Sequence, residues 1–134
     1  MITTKNQKAM KILVVDDERD VEMLFRQKFR KELKTKNLEL VFAFSGSEAL
    51  NLLEEKHPPD VAYIFSDINM PGMTGLELLE KVKLRFPKIK ISMISAYGDS
   101  DNYNKAMQSG AKEFFTKPID FDSLKTEVKA LMNI

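Results

Sequence analysis

The chain of 134 residues contains no cysteine, which excludes disulfide bonds, thiolate metal sites and cysteine nucleophiles. It also lacks an excess of either charge, since 21 Lys and Arg residues against 20 Asp and Glu residues leave a formal net charge of +1. This balance gives no electrostatic reason to expect direct binding to nucleic acid. No apolar run approaches the length of a membrane span or a signal-peptide core, so we expect no membrane insertion and a cytoplasmic location.

Apolar runs and amphipathic segments alternate along the rest of the chain. The runs at residues 11–15, 39–44, 61–66, 90–94 and 113–116 predict five strands. Helical spacing between the runs gives three apolar stripes: Val21, Leu24, Phe25 and Phe29; Leu76, Leu79, Val82 and Phe86; and Leu124, Val128, Leu131 and Met132. This alternation predicts an α/β domain of (βα)5 type with a parallel sheet over residues 11–134, after a polar tail of residues 1–10.

Polar residues at the predicted helix starts support these boundaries. Ser45 with Glu48, and Thr74 with Glu77, fit the capping-box pattern. Asp99 or Ser100 is a candidate cap for the fourth predicted helix, and Asp120 for the fifth. We therefore expect each helix to begin just after the carboxyl end of a strand.

Acidic, hydroxyl and basic side chains stand directly after four of the predicted strands. They are Asp16 and Asp17 after the first, Asp67 after the third, Ser95 after the fourth and Lys117 after the fifth. In a parallel sheet all of these residues reach the same edge, which is where open α/β sheets bind ligands. The pattern therefore predicts a functional site at this edge.

Three carboxylates gathered at one edge, those of Asp16, Asp17 and Asp67, would repel one another unless a cation lay between them. Oxygen ligands and a need for retained waters favour Mg²⁺. Taken alone, each acid has a simpler interpretation, because aspartate is favoured at helix starts and in turns. The functional interpretation rests on the five residues together.

The same residues suggest phosphoryl chemistry. Asp67 could act as a carboxylate nucleophile toward phosphorus, and the turn that follows could direct the carbonyl of Asn69 to the cation. The hydroxyl of Ser95 could donate a hydrogen bond to a phosphoryl oxygen, although serine in a loop often bonds only to nearby backbone. Lys117 could pair with the carboxylates in the empty site and with a phosphoryl oxygen in the loaded one.

Four motifs, VVDDE, DINMPGMTG, SAYGD and GAKEFFTKP, occur in this order and carry a resemblance that covers residues 11–134. With them the chain resembles the receiver domain of two-component response regulators. The resemblance implies a flavodoxin-like, doubly wound five-stranded sheet in the order 2-1-3-4-5. It also implies a signalling domain, not an enzyme, that accepts a phosphoryl group from a sensor histidine kinase or a histidine phosphotransfer protein.

The resemblance also assigns roles to individual residues. Asp67 matches the phosphoacceptor, Asp17 the direct Mg²⁺ ligand, Asp16 its partner, Asn69 the main-chain oxygen ligand, Ser95 the switch hydroxyl, Lys117 the phosphoryl-binding lysine and Phe114 the switch aromatic. In the family, phosphorylation remodels the face formed by the fourth helix, fifth strand and fifth helix. Output would then pass to a downstream protein or an attached domain.

Several alternatives stay open at the level of sequence. The chain is either a stand-alone receiver or one excised from a hybrid kinase or larger regulator, and its single histidine, His57, indicates a kinase elsewhere. An aspartate-nucleophile, Mg²⁺-dependent phosphohydrolase would use the same acids. A flavodoxin-like electron carrier fits less well, because the acidic segment DDERD would repel a flavin phosphate. Tyr97 is a candidate shield that would slow hydrolysis of an acyl phosphate.

Overall fold

A computed structural model describes residues 9–56, 59–96 and 98–132. The strands are β1 (Met10–Val15), β2 (Leu38–Ala43), β3 (Val61–Asp67), β4 (Lys90–Ser95) and β5 (Phe114–Thr116). The helices are α1 (Asp20–Lys28), α2 (Arg30–Lys34), α3 (Gly46–Glu54), α4 (Gly75–Arg85), α5 (Ser100–Gln108) and α6 (Phe121–Met132). The predicted strands are therefore confirmed, with ends that differ by one residue.

The five strands form one sheet in the order β2-β1-β3-β4-β5, and every neighbouring pair is parallel. This order confirms the doubly wound 2-1-3-4-5 topology. The alternation of side chains along β1 shows how both faces are covered, because successive strand residues point to opposite faces. Leu13 and Val15 pack with residues of α3, α4 and α5, whereas Ile12 and Val14 pack with residues of α1 and α6.

The first helical stripe is the place where the prediction differs most from the structure. Phe25 and Phe29 are buried as expected, but Leu24 is 38% exposed. The helix is also interrupted at Phe29, whose backbone (φ −101°, ψ 19°) separates α1 from α2. Leu24 lies beside Ile119 and Phe121 in a surface groove, so the apolar stripe is wider than the buried face of α1.

The helix starts follow the predicted caps. Thr74 and Glu77 form a complete capping box, and the Ser45 hydroxyl accepts a hydrogen bond from the Glu48 backbone N–H. Asp99 caps α5, and the Asp120 side chain accepts hydrogen bonds at the start of α6. Each cap satisfies backbone N–H groups that the helix itself leaves unpaired.

Within the described residues, none of the helices has the length and apolar character needed to cross a bilayer. Residues 1–8 lie outside the described ranges, so the boundary between a tail of residues 1–10 and a domain of residues 11–134 stays a prediction. His57 and Tyr97 also lie outside the described residues.

Candidate acidic site at the carboxyl edge of the sheet

The ends of four strands bring the predicted site residues to one edge. Asp16 directly follows β1, Asp67 is the last residue of β3, Ser95 is the last residue of β4, and Lys117 directly follows β5. All four strands are parallel, so their carboxyl ends lie at the same edge of the sheet. A backbone hydrogen bond from Lys117 N–H to the carbonyl of Ser95 (2.7 Å) joins the last two of these positions.

Three carboxylates form a cluster there. One oxygen from each of Asp16, Asp17 and Asp67 lies within 4.8 Å of the other two. Asp16 and Asp67 are buried, with 5% and 6% exposure, and Asp17 is exposed. Oxygens around an octahedral Mg²⁺ lie about 3 to 4 Å apart when each is about 2.1 Å from the ion. The donor set therefore fits a hard divalent cation after a small contraction, with Asp17 on the side open to water.

Among the described residues, the ammonium group of Lys117 is the cation next to this cluster. Its Nζ lies 3.4 Å from Asp67 Oδ1, 3.6 Å from Asp16 Oδ2 and 3.8 Å from Glu18 Oε1. Burial by itself lowers the pKa of Lys117, but the negative charges of Asp67 and Asp16 outweigh burial and raise the pKa above its usual value. The lysine therefore stays charged at neutral pH. The peptide bond between Lys117 and Pro118 is cis.

The charge of Lys117 does not fully compensate for the burial of the two carboxylates. Burial, followed by the charge of Asp16, raises the pKa of Asp67 to about 6. Burial also raises the pKa of Asp16, although the backbone N–H of Glu18 and the charge of Lys117 oppose this shift. One ammonium group thus faces two buried acids, and such a site favours the arrival of a further positive charge.

Ser95 is fully buried, and its hydroxyl is hydrogen-bonded to a residue outside the carboxylate cluster. Ser95 Oγ donates a hydrogen bond to Asp99 Oδ2 at 2.8 Å. Asp99 is the N-cap residue of α5, and its other oxygen accepts a hydrogen bond from the backbone N–H of Asn102. Sequence reasoning predicted Asp99 only as a helix cap, because a contact across the turn from Ser95 depends on the folded path of the loop.

The two remaining predicted residues lie at the margin of the site. Asn69 is exposed in the loop after β3. Phe114, the first residue of β5, is half-buried, and its ring packs edge-on against Tyr103 of α5 with 5.3 Å between ring centroids. The roles of Asn69 as a main-chain ligand and of Phe114 as a switch aromatic stay predictions.

Gly75 is a packing position beside the site that sequence reasoning missed. It opens α4, and its N–H donates to the carbonyl of Ile68 at 2.8 Å. A Cβ at this position would lie 2.0 Å from the backbone oxygen of Asp67 and 2.8 Å from Cα of Ile68. Only glycine therefore lets α4 pack directly on the backbone that carries the Asp67 carboxylate. The glycine letter alone could not show this, since the close approach is a tertiary contact.

The family model described as the response regulator receiver domain matches residues 12–129, which is most of the chain. The chain belongs to this family. Receiver domains are signalling phosphoacceptor domains, and they bind Mg²⁺ at an acidic pocket. The fold and the receiver identity predicted from the motifs are thus confirmed.

Curated relatives include sporulation initiation phosphotransferase F of Bacillus subtilis, which is 31% identical over 89% of this receiver and 90% of its own length. The response regulator protein PilR of Pseudomonas aeruginosa is 34% identical over 92% of this chain and 26% of its own length. The DNA-binding transcriptional regulator NtrC of Klebsiella pneumoniae is 37% identical over 81% of this chain and 22% of its own length. This receiver thus spans nearly all of the first relative but about a quarter of the other two.

Solved structures agree with this assignment. A receiver domain from Clostridium thermocellum superposes with a TM-score of 0.79 at 27% identity, covering 92% of this chain and 94% of that chain. A CheY-like receiver from Methanospirillum hungatei gives a TM-score of 0.81 at 26% identity, covering 94% and 95%.

Proposed function

We propose that this receiver accepts a phosphoryl group on Asp67 in a Mg²⁺-dependent reaction with a partner histidine kinase or histidine phosphotransfer protein. The observation that carries the proposal is the cluster of Asp16, Asp17 and Asp67 with Lys117 Nζ 3.4 Å from Asp67 Oδ1. Family membership supports this assignment, because receivers act with histidine kinases and output domains.

The transfer would proceed by attack of an Asp67 carboxylate oxygen on the phosphorus of a phosphohistidine. A new O–P bond forms, the N–P bond breaks, and the imidazole leaves with the electron pair and takes up a proton. Asp16, Asp17, Asp67 and the main-chain oxygen of Asn69 would hold Mg²⁺, which neutralises charge on the phosphoryl oxygens when it is bound. Lys117 would move from its carboxylate partners to a phosphoryl oxygen.

The response would begin at Ser95 and Phe114. A phosphoryl group on Asp67 offers a new acceptor for the Ser95 hydroxyl, and movement of this residue would change the packing of Phe114. Phe114 lies in β5 and packs on Tyr103 of α5. We expect a protein partner or an attached domain to bind the face of α5, β5 and α6. We expect no direct contact with nucleic acid, and a cytoplasmic location, whether the receiver acts alone or within a larger regulator.

The decisive experiment measures intact mass after incubation with acetyl phosphate, with and without Mg²⁺. We expect one phosphoryl adduct in wild type that requires Mg²⁺ and is absent in Asp67→Asn. Asp60→Asn is a matched control, since Asp60 precedes the same strand at its opposite end. An adduct that persists in Asp67→Asn would contradict the assignment of the acceptor.

Two further measurements address the other roles. Lys117→Ala should still be phosphorylated but should lose the conformational change that follows phosphorylation. A normal conformational change in this variant would contradict the role of Lys117. Steady release of phosphate from small phosphate esters by wild type, abolished in Asp67→Asn, would instead support the phosphohydrolase alternative.

A further inference from the structure

The hydroxyl of Ser95 has a single proton, which it can donate to one acceptor at a time. Ser95 Oγ donates to Asp99 Oδ2 at 2.8 Å, and Ser95 is fully buried. Phosphoryl oxygens at neutral pH are chiefly acceptors, so a serine beside them must act as the donor. One proton cannot be donated to both acceptors in good geometry. The carboxylate of Asp99 and a phosphoryl group on Asp67 would therefore compete for it.

Asp99 is held in place to make this contact. The oxygen that accepts from Ser95 also accepts a hydrogen bond from the Asn102 side-chain amide, and the second oxygen caps α5 at the Asn102 N–H. These hydrogen bonds lower the pKa of Asp99, with the Asn102 amide as the first cause and Ser95 as the second. Asp99 is thus a charged acceptor fixed to the first turn of α5.

We propose that Asp99 is a positioning residue that restrains the Ser95 hydroxyl in the unphosphorylated receiver and opposes the switch to the phosphorylated conformation. The proposal rests on the proposed function, since it takes Ser95 as the switch hydroxyl and Asp67 as the acceptor. Coupling between two sites is reciprocal, so whatever loosens the Ser95–Asp99 contact should favour the phosphorylated conformation.

The same contact connects the site to the face that would change. Tyr103 follows Asn102 in the first turn of α5, and its ring packs edge-on against Phe114. When Ser95 releases Asp99, the capping carboxylate loses one of its donors at the turn that carries Tyr103. The α5 cap is therefore the physical element through which release of the serine would reach Phe114.

Asp99→Asn is a sharp test because it preserves size and capping. The amide oxygen of asparagine can still accept from the Asn102 N–H, since asparagine is as good an N-cap as aspartate. Its NH₂ group then faces Ser95 Oγ as a donor, which leaves the serine proton free. The Asn102 side chain, which donates to the same oxygen of Asp99, would turn its amide to accept from the new NH₂ group. Asp120→Asn is the matched control, because Asp120 bonds at the start of α6 in a similar way without contact to Ser95.

The experiment titrates beryllofluoride, a phosphoryl mimic, into each variant of the 134-residue chain with Mg²⁺ present. Two-dimensional NMR follows binding and also reports folding. We expect Asp99→Asn to bind about threefold or more tightly than wild type, as expected for loss of a competing charge-assisted hydrogen bond, while Asp120→Asn binds as wild type. In a Ser95→Ala background, Asp99→Asn should have no effect.

An equal gain in the Ser95→Ala background would overturn the proposal, since removal of a negative charge alone would then explain the result. Unchanged or weaker binding in Asp99→Asn would overturn it as well. Failure of the proposed function looks different: wild type would show no Mg²⁺-dependent binding, or Asp67→Asn would bind equally well. Either result would contradict both the proposed function and the proposed role of Asp99.

Discussion

At the scale of single residues, the negative charge of the buried carboxylates in the site is only partly neutralised by the folded chain. Lys117 Nζ lies within 4 Å of three carboxylates, two of which are nearly inaccessible to water. A single ammonium cannot offset the burial of both Asp16 and Asp67, which explains why the pKa values of both acids are raised. The same imbalance that prepares the site for a cation lowers the stability of the metal-free protein.

Asp67→Asn should therefore stabilise the metal-free receiver at pH 7. The pKa of Asp67 is about 6 in the folded state, against about 4 in the unfolded chain. Between these values the folded state binds more protons, so stability falls as the pH rises through this window. We expect Asp67→Asn to be more stable than wild type at pH 7 by up to about 3 kcal/mol, and by little at pH 4. Urea unfolding in the presence of a chelator measures this difference.

Asp60, which directly precedes β3, provides a control because its pKa is shifted in the opposite direction. Hydrogen bonds to Lys11 and Lys56 lower its pKa to about 2, so its contribution favours folding above about pH 4 and is lost as the pH falls through about 2. Asp60→Asn should thus destabilise slightly at both pH 7 and pH 5. If Asp67→Asn were less stable than wild type at pH 7, the idea of an unsatisfied charge balance would be wrong.

The site residues that sequence analysis identified share one property: they stand next to strand ends. Position along the chain was enough to predict that Asp16, Asp67 and Lys117 meet, because parallel strands carry their ends to one edge. The partner of the Ser95 hydroxyl could not be predicted in this way. Its bond to Asp99 depends on the path of a loop, and aspartate at a helix start already has a sufficient local explanation.

At the scale of elements, the start of α4 fixes the backbone of the candidate acceptor. Thr74 and Glu77 close the first turn of α4 by a reciprocal capping box. Gly75 then approaches Asp67 and Ile68 so closely that a Cβ would lie 2.0 Å from the Asp67 carbonyl oxygen. The capping box was predictable from letters three residues apart, whereas the close approach was not, since it joins two elements.

Gly75→Ala should displace either α4 or the end of β3. Overpacking of this kind typically costs about 1 to 3 kcal/mol, and we expect the upper end here because the Cβ would meet backbone atoms that cannot rotate away. Acetyl phosphate should also label Gly75→Ala more slowly than wild type, since the carboxylate of Asp67 would shift with its backbone. Chemical denaturation and adduct formation measure the two effects.

Gly72→Ala is the control for this substitution. Gly72 has φ of +74°, but a Cβ there would meet no atom within 4 Å. The expected cost is about 1 kcal/mol, from backbone strain alone. Equal losses of stability in the two variants would contradict the argument from close packing.

At the scale of the whole molecule, the sheet separates two hydrophobic cores, one on each face. The two cores contain different side chains, but every strand of the candidate site contributes to both. One core packs α3, α4 and α5 on one face, and the other packs α1 and α6 on the opposite face. The alternation of apolar runs with amphipathic segments predicted this layered arrangement. It did not predict the interruption at Phe29, whose buried ring stacks on Phe25.

A divalent ion at the carboxyl edge should stabilise both cores together. Its candidate ligands, Asp16, Asp17 and Asp67, come from the ends of the central strands β1 and β3, which pair along most of their length. Binding only to the folded state raises stability by RT ln(1 + [L]/Kd), which is about 1.4 kcal/mol when the ion is at ten times its Kd. For a domain of this size we expect Mg²⁺ at that concentration to raise the melting temperature by about 5 °C. Asp17→Asn, which removes an exposed ligand with little effect on packing, should abolish the shift without changing the metal-free melting temperature by more than about 1 °C.

A shift of equal size in Asp17→Asn would mean that the ion binds elsewhere. Hydrogen exchange tests the coupling of the two cores through the central strands. A Mg²⁺ effect on the exchange of only one core would contradict that coupling.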